Sequence, residues 1–253
     1  MSVYSEIPAP HSLSDAIECF WHSRQTSGTA VMHRVVPDGC TDLLFIRSGD
    51  EPVLQVVGLM TRFQDVRLEP GAEFLGVRFR AAMGAAHLGV RAGEIVDEVV
   101  DLECLWGARA RRLRERLAMP KTVAARTALL AQCFASATAE ASTVQQAIGM
   151  LERAGGRQRL DALASQCGLS IRQFRRRCVE ESGLSPKLLA RILRFRHAWQ
   201  RADAETGEQA GLAADCGYSD QSHMIAEFRR FSGRTPAQRT NWSTNASPNP
   251  TST

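Results

Sequence analysis

The chain has 253 residues, of which 44% are hydrophobic and 23% charged, and a formal net charge of +4. That balance belongs to ordinary soluble proteins, and the length is comfortable for two domains. No run of about 18 apolar residues is present to span a membrane.

The opening Met-Ser-Val-Tyr-Ser-Glu has neither the basic head nor the apolar core of a signal peptide, so cytoplasmic residence without membrane association is expected. Seven cysteines (Cys19, Cys40, Cys104, Cys133, Cys167, Cys178 and Cys216) are scattered and never form C-x-x-C. The common zinc spacings and a disulfide framework are thereby disfavoured. Cys167, Cys178 and Cys216 read as core thiols, and Cys40 or Cys104 as the only candidates for redox sensing. His33, Cys40 and His87 are metal-ligand types, but their spacing supports no site, and no metal or cofactor is expected.

The first hundred residues read as strands. A short helix from Ser12 or Ser14 through Trp21 is expected first. Segments 30–36, 42–47, 53–59, 64–68 and 73–80 are short, rich in Val, Leu and Phe, and separated by turn chemistry such as Pro37-Asp38-Gly39 and Ser48-Gly49-Asp50. This spacing predicts a small antiparallel sheet or barrel. The pattern then becomes helical: 81–88, ended by Gly89, followed by amphipathic helices over 102–117 and 122–137. The arginines Arg109, Arg111, Arg112, Arg114 and Arg116 lie off the buried stripe of the first of these, as on a solvated face. The pair also suits a dimer contact. Residues 137–142, small or polar, are the best linker. The tail from Asn241 is polar and Pro-containing, and disorder is expected there. The expected domains are therefore a β-rich one over 1–100, a helical pair and linker over 101–141, a helical domain over 142–240, and the tail over 241–253.

Within 142–240 the sequence repeats itself. Leu163-Ala164-Ser165-Gln166-Cys167-Gly168-Leu169-Ser170 is answered by Leu212-Ala213-Ala214-Asp215-Cys216-Gly217-Tyr218-Ser219. Each copy opens a helical run, and each run closes on Ser-Gly, at Ser182-Gly183 and Ser232-Gly233. A short helix, a Gly-containing turn and a second helix make a helix-turn-helix, and two in tandem suggest a reader of duplex DNA. From Arg157 to Arg239 there are 15 Lys and Arg against 9 Asp and Glu, an electrostatic footprint of the same kind.

In the first copy, Ser170 and Gln173 have the spacing of a capping box. Ile171, Phe174 and Cys178 are expected to face the core, while Arg172, Arg175 and Arg176 share an exposed stripe. Arginine forks onto guanine O6 and N7, so these three are the expected base readers. In the second copy Met224, Phe228 and Phe231 form the buried stripe. Gln221, Ser222, His223, Ala226 and Arg229 lie outward, and Asp220 is read as a cap. Between the copies, Ser185-Pro186 opens a helix over 187–202, a spacer of roughly 24 Å at 1.5 Å per residue. His197 is expected at the surface.

With these residues in view, 143–240 resembles the DNA-binding domain of the AraC (arabinose-operon regulator) family of bacterial transcription factors. The resemblance is carried by 217–224, by Phe228-Arg229-Arg230-Phe231-Ser232-Gly233 and by Thr235-Pro236. It implies a seven-helix domain whose two recognition helices enter adjacent major grooves, with base contacts at Arg172, Arg175, Arg176, Gln221, Ser222 and His223. Ala226 departs from the basic or polar reader that the family often places there. More loosely, 33–45 and Gly76-Val77-Arg78-Phe79 resemble the sensor domain of some of these regulators, implying a cupin-like barrel whose lumen accepts an effector.

The resulting expectation is an α+β protein and a non-enzymatic regulator of transcription. Its partners would be double-stranded DNA, RNA polymerase, a small-molecule effector and a second copy of itself. The alternatives are an enzyme with an accessory DNA-binding domain, such as an alkylation-repair methyltransferase, and a regulator with no effector and a fully packed barrel.

Overall fold

The computed structural model describes residues 2–49, 51–135, 140–204 and 209–239. The tail from 241 and half of the expected linker, 137–139, fall outside the described residues. Eight strands come first: β1 (Ser2–Pro8), β2 (Ile17–Gln25), β3 (Val31–Val35), β4 (Thr41–Arg47), β5 (Val53–Val57), β6 (Gln64–Leu68), β7 (Glu73–Phe79) and β8 (Val99–Asp101). Six form an antiparallel sheet in the order β1-β2-β7-β4-β5-β8, and β3 pairs with β6 as a separate antiparallel ribbon. The sheet has two working faces, as the period of a strand requires. On β4, Leu43 and Phe45 enter a core of buried side chains, while Asp42, Leu44 and Ile46 point into a lumen shared with the β3–β6 ribbon.

The strand pattern was legible for β3 to β7 but not for β2. The expected helix through Trp21 is a strand, and only His11–Leu13 makes a single 3-10 turn, with the Ser14 hydroxyl donating to the His11 carbonyl. Tertiary pairing overrides local preference here: β2 lies between β1 and β7 and bonds to both. Its Trp21 faces Gly76 across the β2–β7 ladder. A Cβ on Gly76 would fall 2.2 Å from the indole, so β7 needs glycine there to let that ring lie against it.

Helices α1 (Gly84–Leu88), α2 (Leu102–Trp106), α3 (Ala108–Ala118) and α4 (Val123–Ala135) follow. The single helix expected over 102–117 is broken at Gly107. Leu102, Ala110, Leu113, Leu117, Leu130 and Phe134 join the core cluster of the sheet. The helical pair is thus packed on the β domain rather than standing between domains. Its arginines are used at the surface: Arg111 and Arg114 pair with Glu103, and Arg109 stacks on Trp106 at 3.9 Å.

The remaining helices are α5 (Thr143–Arg153), α6 (Leu160–Gln166), α7 (Ile171–Ser182), α8 (Pro186–Ala204), α9 (Gln209–Asp215) and α10 (Gln221–Ser232). Val144, Ala147, Ile148 and Leu151 of α5 are buried as their spacing predicts, and Ser142 caps it through a reciprocal box with Gln145. Along α8, Leu189, Ile192, Phe195 and Trp199 form the central seam. This core is not closed by the helical domain alone, because Leu59, Ala81 and Ala82 of the N-terminal half belong to it.

Candidate nucleic-acid interface and the N-terminal lumen

The first helix-turn-helix is α6, the turn through Ser170, and α7. The Ser170 hydroxyl accepts from the Gln173 amide and the Gln173 side chain returns to the Ser170 amide, so the capping box is formed. Phe174 and Cys178 are fully buried. Ile171 is not: at 37% exposed it sits on the first helical residue, ahead of the turn that meets the core, and the expectation that it faces inward fails. Arg172, Arg175, Arg176 and Arg177 are all exposed. Arg176 makes only a 3.7 Å surface pair with Glu180, which water screens heavily.

The second unit is α9, its turn, and α10. Asp220 caps α10, its carboxylate accepting from the His223 amide at 2.8 Å. Gln221, Ser222, Ala226 and Arg229 are exposed. His223 is half-buried, with its Nδ1 3.1 Å from the Ser219 hydroxyl and its ring edge-on to Tyr218. Met224, Phe228 and Phe231 are fully buried, and Glu227 grips Arg191 of α8 through two hydrogen bonds of 3.1 and 2.6 Å. His197 is half-buried rather than at the surface, and burial together with Arg157 and Arg201 holds its imidazole below its usual pKa.

The repeated Ser-Gly endings do the same work twice. The buried Ser182 hydroxyl donates to the Cys178 carbonyl at 2.7 Å and accepts from the Leu184 amide. Ser232 donates to the Phe228 carbonyl at 2.7 Å and accepts from the Arg234 amide. Each hydroxyl thereby back-bonds to the carbonyl one turn earlier and takes up an amide just beyond the helix end. Gly183 (φ 78°) and Gly233 (φ 71°) then take the left-handed turn that a side chain would resist.

These two helix ends meet the N-terminal domain. A Cβ on Gly183 would lie 2.4 Å from Val96 and 2.9 Å from the Ala92 carbonyl, and one on Gly233 2.8 Å from Phe63 and 2.9 Å from Arg34. Arg34 donates to the Ser232 carbonyl at 3.1 Å while forked onto Asp65 at 2.6 Å and stacked on Phe63 at 4.1 Å. Both recognition helices therefore abut the β domain at their C-terminal ends and carry their exposed arginines and amides along the faces turned to solvent. No local signal marks Arg34 or Phe63 for this contact, because their partners lie at the other end of the chain. The Ser-Gly repeat was visible, but not its buried hydroxyls.

A third junction is ionic. Arg196 of α8, with 10% of its side chain exposed, pairs with Glu18 of β2, with Glu152 of α5 at 3.3 Å, and with the Cys40 sulfur at 3.3 Å. The ligand atoms of Glu18, Cys40 and Glu152 lie within 4.8 Å of one another, but the guanidinium binds all three. His33, Cys40 and His87, considered together as metal-ligand types, are separated: His33 lines the lumen, Cys40 sits in this ionic junction, and His87 bonds the Met83 carbonyl.

The lumen is not filled by its own side chains. It is a cavity of about 190 Å³ between the large sheet and the β3–β6 ribbon, walled mainly by apolar groups. Arg78, 1% exposed, lies behind its wall, with Asp42, Asp38 and Glu6 carboxylates at 3.5, 3.6 and 3.9 Å.

Comparisons with known proteins agree with this division. Residues 5–101 match a family described as a domain of unknown function (DUF6597), and residues 163–241 match a helix-turn-helix domain family. The transcriptional activator RhaS of Escherichia coli O157:H7 is 33% identical over 73 residues, 28% of this chain and 25% of RhaS. The chain thus matches about a quarter of the length of such relatives. Among solved structures, a transcriptional regulator with an AraC-type DNA-binding domain from Chromobacterium violaceum aligns over 38% of this chain and 87% of its own (23% identity, TM-score 0.36). ToxT of Vibrio cholerae aligns over 87% and 97% (10% identity, TM-score 0.45). With its repeated, capped helix-turn-helix units, the segment 163–241 is a helix-turn-helix domain similar to part of the transcriptional activator RhaS, and a β-rich domain lies ahead of it.

Proposed function

We propose that this chain regulates transcription by laying α7 and α10 into neighbouring major grooves of one DNA face, and that a small molecule in the lumen changes how firmly it does so. The observation that carries the reading is the set of exposed guanidiniums on α7, Arg172, Arg175 and Arg176, placed after a formed capping box on a helix whose other face is buried. Gln221, Ser222, His223 and Arg229 supply the second reading surface; Gln suits adenine, whereas Ser and His bond to bases or phosphates. α8, with 19 residues and about 28 Å long at 1.5 Å per residue, is a stiff spacer near the 34 Å of one duplex turn.

The route from lumen to DNA is short. The β3–β6 ribbon presents His33, Val35, Gln64 and Val66 to the cavity, while Arg34 of the same ribbon holds the last turn of α10. A ligand that favours one setting of the ribbon would favour one setting of that helix, as differential binding requires. A homodimer, a contact with RNA polymerase and residence in the cytoplasm complete the proposal. The enzyme alternative gains no support from the thiols: burial pushes Cys19 up to about 12, Cys178 up to about 11 and Cys40 well above the usual range, whereas a nucleophile needs the opposite shift.

The test is binding to selected duplexes. Arg175→Ala or Arg176→Ala should each lower affinity for the preferred sequence by about 1–3 kcal/mol and relax base preference at one position. Affinity should fall steeply with salt, as counterion release demands. Equal affinity for cognate and scrambled duplexes, or unaltered preference in both variants, would refute the reading.

A further inference from the structure

The lumen is chemically one-sided. Three carboxylates, Glu6, Asp38 and Asp42, surround the single Arg78 guanidinium at 3.5 to 3.9 Å, so this wall carries formal negative charge in excess. Tyr4 donates to Glu6 at 2.6 Å, and the Asp42 Oδ1 receives the Trp21 indole N–H at 3.1 Å. Asp42 lines the cavity, and its Oδ2 accepts no hydrogen bond among the described residues. Trp21 stands beside that carboxylate with the Tyr4 ring 6.0 Å from its own, and Phe74 lines the same cavity further along, opposite Ile46. A carboxylate amid aromatic faces is the arrangement that holds an ammonium group, through charge and through the rings' quadrupoles.

An anion would find nothing comparable. No Lys or Arg is among the described residues that line the cavity, and burial lowers the pKa of His33, which disfavours its charged form. Beyond Asp42 the lining is largely apolar, with Leu44 and Ile46 further along β4 and Val66 on the ribbon, and the Gln55 and Gln64 amides make no side-chain hydrogen bond among the described residues. The volume of about 190 Å³ limits the guest, since an apolar cavity of about 150 Å³ holds benzene.

We propose that the lumen is a receptor for a small organic cation: a protonated amine whose ammonium sits on Asp42 and whose hydrocarbon part is about one ring with a short arm. This rests on the effector reading above and narrows it. Burial raises Asp42 to about 6, against the pull of Arg78, with Asp38 and Glu18 adding to the rise and the Trp21 hydrogen bond opposing it. Amine affinity should therefore decline as pH falls through that value and the carboxylate takes up its proton.

The experiment is calorimetric titration of the full chain with benzylamine, benzyl alcohol and benzoate. Benzylamine should bind at least about tenfold more tightly than benzyl alcohol, and benzoate should give no binding at about 1 mM. Asp42→Asn should remove at least about tenfold of the amine's affinity and leave the alcohol within about twofold. Leu44→Trp adds bulk to the lumen beside Asp42 on the same face of β4, and should weaken both by at least about tenfold. Benzoate binding as tightly as benzylamine, amine binding unchanged in Leu44→Trp, or no amine binding to the folded wild-type chain would each overturn the proposal. Titration of preferred DNA in parallel separates the two readings. If benzoate or the alcohol shifts DNA affinity and the amine does not, the effector role stands and the amine class falls. If the amine binds without moving DNA affinity, the ligand class stands and the coupling falls.

Discussion

Arg196→Ala should destabilise the chain by about 3–5 kcal/mol in urea unfolding at pH 8. The side chain is 10% exposed and is the shared cation of Glu18 and Glu152, two carboxylates contributed by different halves of the molecule. Removing it leaves two half-buried carboxylates facing each other, with the Cys40 thiol as an S–H donor to Glu18 and only the more distant pull of Arg78 and Arg80. The sign of the pH dependence follows. In the variant, the two carboxyls resist ionisation, so their folded pKa values rise above the unfolded ones. Their contribution to stability is then complete below the unfolded value and disappears as pH rises through the folded one. The deficit should shrink toward pH 5 and be largest at pH 8. Glu18→Gln, which leaves the cation its Glu152 carboxylate and the Cys40 sulfur, should cost less. A deficit under about 1 kcal/mol, the range of surface pairs, would mean that the junction is wetter than its geometry indicates.

Phe228→Ala should cost a similar amount, about 3–5 kcal/mol, by the cavity it opens. The ring is fully buried, edge-on to Phe195 at 5.1 Å and stacked on Trp199 at 5.8 Å, so it is the main attachment of α10 to the α8 spacer. α10 has 12 residues, too few to persist in water without packing. The loss should therefore be functional as well as thermodynamic: protection at the groove read by α10 should vanish while that at the α7 groove persists. Phe174→Ala should produce the mirror result. Simultaneous loss at both grooves in each variant, at temperatures where the chain is folded, would show that the two units do not stand independently.

The parts that could be read from sequence are those whose signals are local. Capping boxes span four residues, the buried stripes of α5, α7, α8 and α10 repeat every three or four, and the Ser-Gly endings recur at matched places. Five strands are short runs rich in Val, Leu and Phe, set off by turn residues. β2 was misread because its neighbours in the sheet, not its own residues, fix it as a strand. The lumen was hidden for the same reason at greater range, since its walls come from residues as distant as Tyr4 and Val99. Charge was the most misleading quantity. Arg191 and Arg196 contributed to the basic excess of the terminal third, but they turn inward to Glu227, Glu18 and Glu152, and Arg157 donates to the Asp215 carbonyl. The cations available to DNA are fewer than a count suggests, and those of α7 stand out because nothing buried holds them.

The central claim is that two stiffly spaced helices read adjacent grooves, and hydroxyl-radical footprinting on a selected duplex tests it most directly. The account predicts two protected patches on one face, centred about 10 base pairs apart, with Arg175→Ala weakening one and Gln221→Ala the other. A single protected patch, or two patches on opposite faces of the duplex, would contradict it.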